Sequence, residues 1–149
     1  MTTKRRESRL EPYREYGPLF IRLVVGGRLI WGTQDNVFSW ERMKEFAAFL
    51  GQHGVPYPLA GAVLSVAVQF LAGLLVIVGL WTRTAGALIV LNFIAAFWIA
   101  HRGDTFLDMY DALVMLAGGL FFLLHGPGRL SLDSLRERRR IEPMPRGEA

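Results

Sequence analysis

The chain divides sharply by polarity. Between Tyr57 and Ala100 the only formally charged residue is Arg83, whereas charged residues crowd the first 18 and the last 24 positions. A helix needs about 20 predominantly apolar residues to cross the hydrocarbon of a bilayer. Residues 58–80 (PLAGAVLSVAVQFLAGLLVIVGL) meet this, residues 84–100 (TAGALIVLNFIAAFWIA) are just long enough, and residues 107–124 (LDMYDALVMLAGGLFFLL) hold acids only in their first turns. The stretch LFIRLVVGGRLIW from Leu19 is interrupted by Arg22 and Arg28, and continued to Val37 it makes a fourth candidate span.

Orientation follows from Lys and Arg in the short flanking segments. Residues 1–18 carry Lys4, Arg5, Arg6, Arg9 and Arg14; the link between the second and third spans carries Arg83; residues 126–149 carry Arg129, Arg136, Arg138, Arg139, Arg140 and Arg146. The opposite loops hold only Arg42, Lys44 and Arg102, together with six acids. Both termini are therefore expected in the cytoplasm, which requires an even number of spans and supports the weak first one. Trp31, Trp81 and Trp98 fall near expected span ends and Trp40 in the outer loop, as amphipathic rings at headgroup level would.

The expected fold is all-α: an antiparallel four-helix transmembrane bundle with a short amphipathic outer-face helix between spans one and two. In SWERMKEFAAFLG, residues 39–51, Trp40, Met43, Ala47 and Leu50 recur at helical spacing. Ser39 suits its N-cap, Glu41 its first turn and Gly51 its end. Such a helix would lie on the outer membrane face or cap the bundle. Trp81–Arg83 is too short for more than a tight turn, so spans two and three form a helical hairpin. The plan is thus a basic tail (1–18), the bundle (19–125) and a second basic tail (126–149), the latter opening with a brief helix over residues 132–140.

Composition adds exclusions. The 149 residues suit one domain, 52% of them are apolar, and the net charge is +4 with a pI near 10.0. The basic residues flank lipid-like segments, so nucleic acid is not an expected partner. Cysteine is absent, which excludes disulfides, thiolate metal sites and thiol redox chemistry within this chain. The first 18 residues are too polar for the apolar core of a cleavable signal peptide. No phosphate loop, dinucleotide fingerprint or nucleophile elbow occurs, and His101 and His125 sit at opposite faces, unsuited to a haem pair.

Polar groups within spans are expected to face the bundle and find partners. At about 1.5 Å rise per residue, Arg28, Gln69 and Asn92 share a depth near the midplane, while Arg22 lies close enough to the inner edge to snorkel back to water. Asp104, Asp108 and Asp111 stand at i, i+4 and i+7, one helical face. Asp111 is the deepest and within reach of Arg28; His101 and Arg102 lie nearer water. Three readings stay open: a structural ion pair with solvated acids, an outward pocket for a polar or quinone-like headgroup or a proton relay, and a metal site from His101, Asp104 and Asp108. The first has the fewest requirements, and no metal is assigned. The small residues Gly26, Gly27, Gly61, Ser65, Ala72, Gly73, Gly118 and Gly119 suit close helix approach.

Over residues 19–133 the chain resembles the DoxX family of small bacterial membrane proteins. The likeness is carried by Arg22 with Gly26, by FAAFLGQHGVPYPL, by QFLAGLLVIVGLWTRTAGALI and by GPGRLSLD. The resemblance implies a four-helix membrane bundle. It also implies a link to quinone-dependent oxidoreduction, since the family takes its name from a subunit associated with a terminal quinol oxidase and other members accompany membrane oxidoreductases. Arg22, Gly26, Gly73, Gly79 and Arg83 match the family pattern. Many relatives carry a glutamate where this chain has Gln69, and a lysine where it reads TQDN (33–36).

The expected function is an accessory or quinone-interacting subunit of a membrane oxidoreductase in the bacterial inner membrane; independent activity is left open, and if present would be that of a quinone-linked oxidoreductase component. Its candidate ligand-binding layer is Arg28, Gln69, Asn92, His101, Asp108 and Asp111. A small carrier or channel lined by the same layer is the alternative. The bilayer and a redox protein are the expected partners, a quinone is the cofactor class implied, and homo-oligomerisation is left open.

Overall fold

The computed structural model describes residues 11–100 and 103–141. Among these every regular element is helical. A short 3-10 helix (Glu11–Tyr16) leads into α1 (Gly17–Phe38), followed by α2 (Trp40–Gln52), α3 (Pro58–Val78), α4 (Thr82–Ala100), α5 (Phe106–His125) and α6 (Leu132–Ile141). The helices α3, α4 and α5 are long and apolar enough to cross a membrane. With 22 residues, α1 reaches about 33 Å, the thickness of the hydrocarbon, but its polar residues keep it outside that apolar class.

Local chemistry explains the boundaries. Helix α1 runs unbroken through both arginines and stops where Ser39 turns extended, its N–H bonded to Asp35 O at 2.9 Å. Ser39 Oγ then accepts the Arg42 N–H, as an N-cap should. Asn36 Nδ2 donates to Arg42 O at 3.0 Å and pins the corner. At the far end of α3, Gly79 takes the left-handed conformation (φ 71°) while its N–H and that of Leu80 return to Leu75 O, a Schellman closure. Trp81 follows at φ 47°, and α4 starts one residue later. The hairpin link is therefore three residues, as the expected spans 58–80 and 84–100 implied, but it lies two positions earlier, at residues 79–81.

Two glycine contacts set the packing. A Cβ on Gly26 would lie 2.6 Å from Ile77 Cγ1 and 2.8 Å from Gly73 O, so α1 and α3 cross with backbones nearly touching. Gly86 and Gly119 do the same for α4 and α5: a Cβ on Gly86 would lie 2.7 Å from Leu123 N and 2.8 Å from Gly119 O. Without a hydrophobic drive between helices in lipid, close approach of small residues is a main source of association. The core between these pairs draws on all four long helices, through Val25, Leu29, Val76, Ile89, Met115 and Phe122. The outer surface is apolar: Val24, Leu64, Leu71, Leu91, Trp98 and Leu124 are exposed. An exposed belt of that extent belongs against acyl chains rather than water.

Helix α2 caps the bundle. Met43, Ala47 and Leu50 are buried against Ala62 and Val66 of α3. Trp40, expected on the same stripe, is exposed instead, lining an open hollow beside Pro58, Leu59 and Val63 of α3.

Candidate functional site

Polar side chains gather in two places, one at each end of the bundle. The first lies in the half that α2 covers. Arg28 Nη2 donates to Asp111 Oδ2 at 2.5 Å, joining α1 to α5. The side chains are 45% and 69% exposed, so the guanidinium expected to face the bundle stands at its surface instead. They guard the mouth of a crevice of about 240 Å³ also lined by Gln69, Phe93 and Asp108.

The acids do not form one helical face. Helix α5 begins at Phe106 with Thr105 as its N-cap, so Asp104 precedes the helix. Asp108 completes a capping box: Thr105 Oγ1 and Thr105 N–H donate to Asp108 Oδ2 at 2.6 and 3.3 Å. Its position in the crevice therefore follows first from starting helix α5. His101 and Arg102 lie outside the described residues. Among the described residues no three potential metal ligands come together.

Gln69 faces the crevice on one side and a polar chain on the other. Gln69 Nε2 donates to Ser65 Oγ at 3.1 Å, and Ser65 Oγ donates to Asn92 Oδ1 at 2.9 Å. Ser65 was expected only as a small packing residue. The signal that could have found it is its i, i+4 relation to Gln69 on α3. Ser65 and Asn92 form the polar floor of a second cleft, of about 460 Å³, between α2, α3 and α4. Phe46, Phe49 and Leu50 roof it, and Leu64, Leu88 and Leu91 stand exposed at its lateral rim. Within the described residues the Asn92 side-chain NH₂ donates to no protein group. The cleft thus presents a hydrogen-bond donor at the bottom of an apolar slot reachable from the side. Asn92 joins the layer through Ser65 and Gln69, not by contact with Arg28.

The second gathering lies at the opposite end and centres on Arg22, which is 2% exposed. Its Nε donates to Val76 O (2.7 Å), Nη2 to Ile77 O (2.6 Å), and Nη1 to Leu130 O (2.5 Å) and Pro127 O (3.2 Å). This corrects the expectation that Arg22 snorkels to water. It points the expected way but ends in a cage of carbonyls. The last carbonyls of α3 lack intrahelical partners and carry the negative end of the helix dipole; a guanidinium with its forked donors satisfies several of them at once. A Cβ on Gly79 would collide with that guanidinium and lie 2.6 Å from Ser131 Cβ.

The segment after α5, expected to open a tail, is tied into the bundle. Asp133 Oδ1 accepts the Trp81 N–H at 2.9 Å, and Oδ2 accepts the Thr82 N–H at 3.0 Å and the Thr82 hydroxyl at 3.2 Å. Asp133 N–H returns to Gly79 O at 2.9 Å. A residue 51 positions away thus caps the N-terminus of α4. Arg83 Nη1 reaches Leu123 O at 3.4 Å, beside Gly126. Arg22, Gly79 and Arg83 therefore belong to a structural knot, and Gly26 and Gly73 to the helix crossing above it.

The DoxX family model matches residues 17–102, more than half of the chain. The chain belongs to the DoxX family. With its three long apolar helices it is a multi-pass membrane protein. The match takes in α1 to α4 and with them Arg22, Gln69, Gly79 and Asn92; the partners Asp111, Leu130 and Asp133 lie beyond it. Among curated proteins the chain is similar to the inner membrane protein YphA of Escherichia coli (strain K12). The two are 22% identical in an alignment covering 81% of this chain and 95% of that protein. No solved structure matches the chain.

Proposed function

We propose that this DoxX-family protein is an accessory subunit that holds a membrane-soluble quinone for a membrane oxidoreductase. The observation that carries the reading is the lateral cleft between α2, α3 and α4, with apolar walls and a floor of Ser65 and Asn92. A quinone ring is flat and apolar with carbonyl acceptors, so one donor at the base of an apolar slot fits it. Its isoprenoid chain would leave past Leu64 and Leu91 into the bilayer. Bound there, a quinone supplies electron- and proton-accepting capacity to a partner enzyme; this chain's part is to bind and orient it. The absence of thiols is in keeping with an accessory role.

The reading includes α1 as a fourth span, both termini on the cytoplasmic side of the bacterial inner membrane, and the Arg22 end facing inward. That end carries most of the basic residues, as positive-inside orientation requires. The carrier alternative is less well supported. Beneath the crevice, Val25, Leu29, Val76, Ile89 and Phe122 are nearly fully buried, and they pack the bundle between the two polar ends.

The test is retention of endogenous quinone. Protein purified from native membranes in mild detergent is extracted with organic solvent and the extract quantified by mass spectrometry. Wild type is expected to hold quinone near stoichiometry, and Asn92→Leu to lose at least about tenfold, the worth of one neutral acceptor on the quinone left without its donor plus a blocked floor. Quinone no higher in wild type than in Asn92→Leu contradicts the reading.

A further inference from the structure

The basic end of the bundle carries a second cleft, of about 660 Å³, unrelated to the one proposed for quinone. Tyr16, Val78, Leu132 and Leu135 line it together with Arg129 and Arg138. Val78 is the last residue of α3, so the cleft straddles the level at which the hydrocarbon gives way to headgroups. Leu132 and Leu135 on α6 are exposed, and they are adjacent on one helical face.

Helix α6 is held in place. Beyond the Asp133 contacts with Gly79, Trp81 and Thr82, Ser134 N–H donates to Ser131 Oγ at 3.1 Å and Ser134 Oγ to Ser131 O at 2.8 Å. The cleft is therefore a preset shape. Its charge is one-sided. Among the described residues after α5, Arg129, Arg136, Arg138, Arg139 and Arg140 stand with two acids, Asp133 and Glu137, and the Asp133 carboxylate is committed to capping α4. Neither Arg129 nor Arg138 has an ion-pair partner among the described residues.

We infer that this cleft binds one anionic phospholipid. The phosphodiester lies between Arg129 and Arg138, and an acyl chain runs along Leu132, Leu135 and Val78. Arginine suits the site because its forked donors match phosphate oxygens. A zwitterionic lipid would bring its own ammonium into a field that is already positive; phosphatidylglycerol or cardiolipin brings none. Basic pockets beside membrane helices at the headgroup level are a known form of lipid recognition.

The experiment is native mass spectrometry of the full chain, purified in detergent and titrated with phosphatidylglycerol or phosphatidylcholine of the same acyl chains. Wild type is expected to retain phosphatidylglycerol on the order of 25-fold better, at about fivefold per arginine. Arg129→Gln/Arg138→Gln should abolish that preference. Arg139→Gln/Arg140→Gln removes the same charge outside the cleft and should leave most of it. Leu135→Gln should weaken retention at unchanged charge. Equal losses in the two double variants mean a diffuse surface field and overturn the site. So does equal retention of the two lipids by wild type, or displacement of phosphatidylglycerol by inorganic phosphate at comparable concentration, which would make it a site for free anions. Circular dichroism of each variant confirms that the helices persist; every side chain replaced is exposed.

Discussion

Replacing Arg22 by Met tests the knot that holds the inner end together. Methionine keeps much of the volume and removes every donor. Three of the four Arg22 hydrogen bonds are short, at 2.5–2.7 Å, and all end on backbone carbonyls of α3 or of the 127–130 segment. A hydrogen bond to a charged group contributes about 1.5–3 kcal/mol, and an acceptor left dry costs about 1–3 kcal/mol. Against this stands the desolvation of a guanidinium, which the substitution relieves. Helix α3 would keep its Schellman closure, so the loss falls on the contacts of Val76, Ile77, Pro127 and Leu130. The net expectation is a destabilisation of about 2–4 kcal/mol, read as the shift of an equilibrium unfolding curve in mixed detergent and SDS micelles. Arg22→Lys keeps the charge but presents a point donor on a flexible stem, and should recover less than half of that. A shift below about 0.5 kcal/mol for Arg22→Met would refute the claim that this side chain ties α1, α3 and the post-α5 segment together.

Other substitutions separate the two polar regions. Gly79→Ala forces a side chain onto a left-handed residue and into Arg22; a loss of about 2 kcal/mol or more is expected in wild type, and clearly less in the Arg22→Met background, in the same unfolding assay. Gly86→Val should disrupt the α4–α5 crossing and lower the unfolding midpoint more than Gly27→Val, because a Cβ on Gly27 meets nothing within 4 Å. If the crevice mouth holding Arg28 and Asp111 is open to water, Arg28→Gln and Asp111→Asn should each change stability by less than about 1 kcal/mol, and a double-mutant cycle that exceeds this would place the pair in a less hydrated setting. Asp133→Asn should lower thermal stability by weakening the cap on Trp81 and Thr82, and a replacement that leaves the melting curve unchanged would remove that cap from the account.

The helices were legible in the sequence because lipid leaves few alternatives. Long apolar stretches bounded by Pro58, Gly79, Thr105 and Gly126 leave little doubt about where α3 and α5 run, and the 3.6-residue stripe of Met43, Ala47 and Leu50 marked α2. The Arg28–Asp111 contact was legible too, from charge and depth. What sequence reading missed are contacts between residues far apart in the chain. Arg22 looked like a snorkelling side chain because its partners are backbone carbonyls, which every residue has and no pattern reveals. Asp133 looked like part of a solvated tail because helix capping is normally sought within a few residues, not 51 positions away. Asp104 was placed on the α5 face because periodicity alone ignores the capping box that starts the helix at Phe106. Ser65 was counted by size, although its spacing from Gln69 offered the polar reading as well.

The most direct test of the central claim is photolabelling of the protein in native membranes with an azidoquinone, followed by peptide mapping. The account predicts adducts confined to the walls of the lateral cleft, on α2 near Phe46 and Phe49, on α3 near Leu64 and Val68, and on α4 between Leu88 and Ile99, with loss of label in Asn92→Leu. Adducts confined to α1 and α5, or labelling unchanged by Asn92→Leu, would contradict it.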